Sequence, residues 1–177
     1  MPNTLQAPAN RGDHLLRPTR TLHLSTPDPT RFYSIGGSLS ITLANQVIAD
    51  AALVSSLKGV VAMVPAVVHF DNFPAKFQPM YKASTENARD APVIDVESTA
   101  IFFHAAGVSP AVASAFTALA TPNHAKFPPM YLTACEFDPL RDDAYVMKAC
   151  LKEAGVPTKL NYYEGLPHYF WIFPSLP

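Results

Sequence analysis

The stretch Asp28 to Leu43, DPTRFYSIGGSLSITL, decides the fold. Arg31 to Ile35 is a short run of β-branched and aromatic residues, which predicts a buried strand. Two glycines and Ser38 follow without a spacer, and apolar residues then recur at helical spacing, at Leu39, Leu43, Val47 and Ala51. This stretch therefore predicts a strand, a sharp turn that carries one serine, and a helix.

A serine in such a turn suits the nucleophile elbow of a hydrolase. Its hydroxyl would be exposed at the tip of the turn, and the helix N-terminus behind it would favour developing negative charge. The usual pattern is G-x-S-x-G, whereas Ser40 stands here at the position of the last glycine. A serine after two glycines is more often a plain turn, so the turn by itself leaves both interpretations open.

Two later segments add an acid and a histidine. Asp138 follows a predicted strand at 130–135, and His168 follows another at 159–164. Serine, acid and histidine thus occur in the chain order of an α/β-hydrolase triad, each just past the end of a predicted strand. Asp142 and Asp143 lie close behind Asp138 and compete with it for the role of the acid.

From Asp28 to Pro174 the chain resembles the hormone-sensitive-lipase-like branch of the α/β-hydrolases. More narrowly, it is similar to fungal esterases of secondary metabolism, of the versiconal hemiacetal acetate esterase type. The segments that carry the resemblance are DPTRFYSIGGS, KGVVAMVPAVVHFDNFPAKF, FPPMYLTACEFDPLRDD and GVPTKLNYYEGLPHYFWIFPSL. It implies a partial α/β-hydrolase fold, a mostly parallel sheet with flanking helices and a cap-like insertion.

The resemblance also implies the roles of the site residues. Ser38 would attack an ester carbonyl, His168 would act as base and then acid, and Asp138 would orient the imidazole. Asp138 is favoured among the acids because the family's acid is the first aspartate of this motif. The backbone N–H of Leu39 would be one oxyanion donor. In the family the other donors come from an upstream His-Gly-Gly-Gly loop, which this sequence lacks.

The predicted organisation has three parts. Residues 1–27 are proline-rich and are expected to have little order, and residues 28–177 are expected to be the C-terminal portion of a hydrolase domain. An insertion at about 69–127 would form part of a cap over the site. Its aromatic residues either line a substrate pocket or merely pack a loop-rich lobe. The candidates for lining the pocket are Phe70, Phe73, Phe102 and Phe103.

The elements predicted for the domain alternate between strands and helices. Helices are expected near 39–55 and 143–154, the first ended by Gly59 and the second capped by Asp142 or Asp143. The apolar run that follows Gly59 predicts a strand covered by helices on both faces. Parallel strands are expected near 31–35, 60–64, 130–135 and 159–164.

Composition excludes several function classes. The formal net charge of -1 gives no electrostatic case for nucleic acid, and no apolar run is long enough to span a membrane. With no signal peptide pattern, we expect a cytoplasmic protein whose two cysteines are buried free thiols. The histidines outside the triad have no metal-ligand spacing, so we predict neither a metal nor a cofactor. No oligomeric state follows from the sequence.

The predicted partner is therefore a small-molecule ester, and the predicted activity is that of a serine carboxylesterase acting on a small acyl group such as acetyl. Only 37 residues precede Ser38, so we expect the chain to be the C-terminal half to two-thirds of a hydrolase. A catalytically impaired homologue that binds a partner or has no activity is the alternative. A weaker third interpretation is non-hydrolytic use of the pocket, in lactonisation or cyclisation.

Overall fold

The computed structural model of the protein describes residues 32–174, so the predicted poorly ordered segment 1–27 lies outside the described residues. Its centre is one sheet of four strands in the order β1-β2-β3-β4, and every neighbouring pair is parallel. The predicted α/β fold and its parallel sheet are thereby confirmed. The strands are β1 (Phe32–Gly36), β2 (Leu57–Met63), β3 (Met130–Phe137) and β4 (Thr158–Pro167).

Two helices pack on this sheet. Helix α1 (Ser38–Val47) joins β1 to β2, and helix α4 (Arg141–Glu153) joins β3 to β4. Because strand order follows chain order and such crossovers are right-handed, both helices lie on the same face of the sheet. A single apolar cluster agrees with this placement, since it unites residues of both helices with those of the strands between them: Ile41, Ala44, Ile48, Val60, Ala62, Leu132, Met147 and Leu151.

Burial alternates along β2. Val60 and Ala62 are buried, whereas Val61 and Met63 are half-buried. A helix over the face of Val61 and Met63 stays a prediction. The apolar run has a continuous hydrophobic sequence but an alternating pattern of burial.

Helix α1 is shorter than predicted and buries a different side. It ends at Val47, and a series of turns leads into β2 at Leu57, so that Gly59 lies inside the strand and not at a helix end. Leu39 and Leu43, whose spacing predicted the helix, are 81% and 53% exposed. The residues that face the core are Ser40, Ile41, Ala44 and Asn45.

Helix α4 begins two residues earlier than predicted. Asp142 and Asp143 lie inside its first turn, and its N-terminal capping position is held by Leu140 without a side-chain hydrogen bond. The prediction that either aspartate caps the helix is wrong, because both carboxylates bind backbone groups of other segments. Gly155 follows the helix with a φ of 75°, the left-handed conformation typical of a glycine just past a helix end.

The long connection between β2 and β3 contains helices and no strand among the described residues. Besides α2 (Ala83–Glu86) and α3 (Val96–Ala106), it has three 3₁₀ segments, at Ala75–Met80, Thr117–Leu119 and Thr121–Lys126. A fourth 3₁₀ segment, Phe170–Ile172, follows β4. The role of residues 69–127 as a cap stays a prediction.

Two further sequence expectations concern the cysteines and the membrane. Cys135 and Cys150 are both free and buried, as predicted. None of the helices between residues 32 and 174 has the length and apolar character needed to cross a bilayer.

Candidate active site

The turn between β1 and α1 presents Ser38 as the first residue of the helix. Two glycines make this turn feasible for different reasons. Gly36 has a φ of 153°, which side chains rarely adopt, and a Cβ at Gly37 would lie 3.3 Å from the carbonyl oxygen of Met63. The strand, the sharp turn and the helix thus follow one another as the sequence predicts. Ser40 stands where the usual elbow pattern has its second glycine.

The neighbourhood of Ser38 Oγ includes two backbone N–H groups. Ala66 N–H donates to Ser38 Oγ at 2.8 Å. Leu39 N–H belongs to the first turn of α1, where N–H groups have no carbonyl acceptor within the helix. An oxyanion beside Ser38 would therefore meet a helix N-terminus, whose partial positive charge favours an anion.

His168 lies beyond β4 and pairs with Asp138, which lies beyond β3. His168 Nδ1 and Asp138 Oδ2 are 2.9 Å apart, and the Asp138 side chain is fully buried. The other carboxylate oxygen of Asp138 accepts from Leu140 N–H at 2.8 Å. With one oxygen fixed by the backbone, the other is held facing the imidazole.

The two competing acids make other contacts. Asp142 Oδ2 accepts from the backbone N–H groups of Lys82 and Ala83, at 2.6 and 2.7 Å. Asp143 Oδ1 accepts from Val67 N–H at 2.7 Å. Of the three aspartates in the motif, Asp138 is therefore the one that contacts His168.

Asn87 is a residue of this region that sequence reasoning missed. Its buried side-chain amide donates to the carbonyl oxygens of Glu136 and Asp138, at 3.1 and 3.2 Å. It thereby fixes the end of β3 from the β2–β3 connection. No motif marks this asparagine in the sequence, since its partners are backbone atoms distant along the chain.

Ser38 and His168 line one cavity of about 270 Å³. Within residues 32–174 no hydrogen bond joins the two side chains, so their convergence to bonding distance stays a prediction. The remaining wall is mainly apolar and comes from the β1–α1 turn, the end of β2, the β2–β3 connection and the segments after β3 and β4: Gly37, Met63, Val64, Ala66, Ile94, Thr99, Phe102, Phe103, Leu140 and Tyr169.

The four predicted pocket aromatics divide into two pairs. Phe102 and Phe103 line the cavity of Ser38, whereas Phe70 and Phe73 line a second cavity of about 280 Å³. Phe73 is directed there by ring packing on Tyr81, with centroids 3.9 Å apart. Phe70 approaches the first cavity only through its ring contact with Phe103, at 5.6 Å. Phe102 and Phe103 lie where they could contact a substrate, and their role in binding stays a prediction.

Asp143, which lies near the site, is a fully buried titratable group. Burial raises the pKa of Asp143 to about 7, although hydrogen bonds from Tyr81 and from the N–H groups of Val67 and Val68 lower it. Among the described residues, no cluster of three or more histidine, cysteine or acidic side chains is arranged to hold a metal ion.

A family model described as the alpha/beta hydrolase fold matches residues 33–172. The chain belongs to the α/β-hydrolase family. The chain is 53% identical over 154 residues to a versiconal hemiacetal acetate esterase of Dothistroma septosporum, covering 85% of this chain and 47% of that protein. It is 35% identical over 146 residues to one of Aspergillus parasiticus, covering 80% and 44%.

Solved structures resemble this chain as well. Vibralactone cyclase superposes with a TM-score of 0.73 at 30% identity, over 80% of this chain and 42% of that one. Brefeldin A esterase, a bacterial homologue of human hormone-sensitive lipase, superposes with a TM-score of 0.67 at 21% identity, over 79% and 40%, and supports the fold alone. The chain spans about half the length of the esterase relatives it matches.

Proposed function

We propose that this hydrolase is a serine carboxylesterase that acts on a small acyl ester, such as an acetate of a fungal secondary metabolite. The observation that carries the proposal is the buried Asp138–His168 pair, whose imidazole lines the same cavity as Ser38. The similarity to versiconal hemiacetal acetate esterases supports the substrate class.

The chemistry of acylation would follow from these groups. Ser38 Oγ attacks the ester carbonyl carbon while His168 accepts the hydroxyl proton through the ring nitrogen that does not face Asp138. The negative charge then rests on the former carbonyl oxygen, within reach of Leu39 N–H. When the tetrahedral intermediate collapses, the C–O bond to the alcohol breaks and His168 gives its proton to the leaving oxygen.

Deacylation would repeat the sequence with water. His168 takes a proton from a water molecule, which attacks the acyl carbon, and the bond to Ser38 Oγ breaks as that oxygen is reprotonated. The carboxylic acid is released. Asp138 stabilises the imidazolium that forms twice in each cycle.

The cavity suits a short acyl group. Its volume of about 270 Å³ lies at or below the range of ligand pockets that enclose a drug-sized molecule. Phe102 and Phe103 give an apolar wall that would contact a methyl or short alkyl chain. We therefore expect activity to fall from p-nitrophenyl acetate to longer acyl esters.

The test is labelling of the purified protein with a fluorophosphonate probe, together with p-nitrophenyl acetate turnover. Both should be lost in Ser38→Ala and retained in Ser84→Ala, a half-buried serine that lines the second cavity. Plain alkyl acetates, whose leaving group needs more help from a general acid, should react more slowly than the activated ester. Absence of Ser38-dependent labelling in folded protein would favour the impaired homologue that binds a partner or has no activity.

Cyclisation is a second candidate, favoured by the similarity to vibralactone cyclase. An acyl group on Ser38 could be captured by a hydroxyl of the same substrate in place of water, which would release a lactone. A p-nitrophenyl ester of a hydroxy acid separates the two outcomes, since the lactone product is lighter than the hydroxy acid by one water. The Ser38→Ala variant corrects for uncatalysed ring closure.

A further inference from the structure

The segment 64–68, here called the post-β2 loop, directly faces the candidate nucleophile. It begins at Val64, which has a φ of 44°. A β-branched residue rarely adopts this conformation and keeps it only where the surroundings fix it. Val64 N–H donates to the buried hydroxyl of Thr133 at 3.0 Å. The strand is thereby turned so that Ala66 N–H reaches Ser38 Oγ.

Asp143 holds the other end of the post-β2 loop. Its side chain is fully buried in the first turn of α4. Asp143 Oδ1 accepts from Val67 N–H at 2.7 Å and from Val68 N–H at 3.0 Å. One carboxylate oxygen thus fixes two consecutive peptide groups, and the first of these residues follows Ala66 directly.

The second oxygen of Asp143 is fixed from the β2–β3 connection. Tyr81 Oη donates to Asp143 Oδ2 at 2.6 Å. The ring of Tyr81 is itself held by Phe73, with ring centroids 3.9 Å apart. Every hydrogen bond to this carboxylate therefore has a rigid donor, and the side chain has little freedom to move away from the loop.

These contacts have no part in the acyl transfer derived above, since Asp138 is the aspartate that contacts His168. An acidic residue in the first turn of a helix is stabilising by itself, through the helix dipole. That role requires no contact with the loop. The two N–H groups bound by Asp143 Oδ1 are what links this aspartate to the position of Ala66.

We infer that Asp143 is a positioning residue for Ser38: by binding Val67 and Val68 N–H it holds the post-β2 loop where Ala66 N–H fixes the orientation of the serine hydroxyl. The inference rests on the proposed function, because it concerns the reactivity of the same serine. With one lone pair of Oγ engaged by Ala66, the side chain keeps one rotamer. Without the clamp, Ser38 can rotate away from the approaching ester.

Three variants test this inference. Asp143→Ala removes the clamp, and Asp143→Asn keeps it, because the amide oxygen can accept from both N–H groups while the amide nitrogen faces Tyr81. Leu151→Ala is the matched control, a fully buried residue two turns further along α4 whose truncation also destabilises the fold. Two quantities are measured in each: the rate of Ser38 labelling per folded molecule, and amide hydrogen exchange at residues 66–68.

The expected result is that Asp143→Ala slows labelling by about 100-fold, the typical cost of a misplacement near 1 Å. Exchange at residues 66–68 should accelerate in the same variant. Asp143→Asn should stay close to wild type in both measurements, and Leu151→Ala should label normally once corrected for its unfolded fraction. Equal labelling of Asp143→Ala and wild type would overturn the inference, as would an Asn variant as slow as the Ala variant.

Two further outcomes keep the result decisive. If Asp143→Ala does not fold, Asp143→Leu decides, because it removes the acceptor for Val67 and Val68 N–H and fills the same buried space. Slower labelling of Asp143→Leu supports the inference, and an unchanged rate overturns it. Absent labelling in wild-type protein would refute the proposed esterase, and the exchange measurement would then show separately whether Asp143 holds the loop.

Discussion

At the residue scale, the motif DPLRDD distributes three aspartates over three different partners. Asp138 faces His168, Asp142 binds the start of α2, and Asp143 binds the post-β2 loop. The sequence predicts the first of these contacts only through the family resemblance, because the three side chains are chemically identical. Their separation depends on which backbone N–H groups the fold brings to each one.

Asp138→Asn should therefore lower p-nitrophenyl acetate turnover by about 10,000-fold, because an amide in this place favours the wrong imidazole tautomer. The measurement is steady-state kinetics on protein of verified fold. Asp142→Asn is the control: its carboxylate contacts backbone N–H groups and Arg141, and it should keep most of the activity. Strong loss in the control together with an active Asp138→Asn would identify a different acid.

Ser38 and its surroundings show where residue patterns fall short. The serine turn is predictable because glycines at 36 and 37 leave few alternatives. Ala66 is not predictable, since a backbone N–H carries no signature in the sequence and its direction depends on Val64 taking a left-handed conformation. The separation of Phe73 from the serine cavity likewise depends on packing with Tyr81.

At the element scale, apolar runs locate the two inner strands, β2 and β3, because each of them lies between two neighbouring strands. The predicted strand 130–135 lies inside the observed Met130–Phe137. The helix after Ser38 is less predictable. The spacing of Leu39 and Leu43 predicts a buried face, but both side chains are exposed. Its true core face includes Ser40 and Asn45, which a hydrophobicity pattern does not select.

Helix α3 gives a prediction about pH. Its N-cap is Asp95, whose side chain accepts from Ser98 N–H at 2.8 Å while Ser98 Oγ accepts from Asp95 N–H at 2.9 Å. The hydrogen bonds from the Ser98 backbone and side chain lower the pKa of Asp95 below its usual 3.8. The stabilisation is thus present above pH 3.8 and is lost as the pH falls through the lower folded-state value.

Asp95→Ala should consequently lower the urea midpoint at pH 6, and the difference from wild type should shrink towards pH 3. Asp95→Asn is the control, since it keeps an acceptor for Ser98 N–H but does not titrate in this range. Its advantage over the alanine variant should be independent of pH. A wild-type advantage that grows on acidification would contradict the assigned cap.

At the scale of the whole molecule, the core is one cluster between the sheet and the two helices on its better covered face. Leu132 lies at its centre, paired in register with Ala62 on one side and Leu160 on the other. The parallel order of the four strands follows from their alternation with helices. The alternating burial along β2 could not be predicted, because the run 60–64 is apolar throughout.

Leu132→Ala should destabilise the protein by about 2 to 5 kcal/mol, since it removes a fully buried side chain from the middle of the sheet. The measurement is urea unfolding followed by circular dichroism. Ile101→Ala provides the comparison, because that side chain is 63% exposed on α3 and its loss should change stability by less than about 0.5 kcal/mol. Similar losses for the two variants would contradict the position of the core.

The two buried thiols can be used to measure local opening of the native state. Burial raises the pKa of Cys135 to about 12 and that of Cys150 to about 11, so the folded protein holds almost no reactive thiolate at neutral pH. A disulfide reagent should modify these cysteines only during brief excursions in which β3 or α4 separates from the core. Because the sequence has no other cysteine, the modification rate of each thiol reports how often that site opens to the reagent.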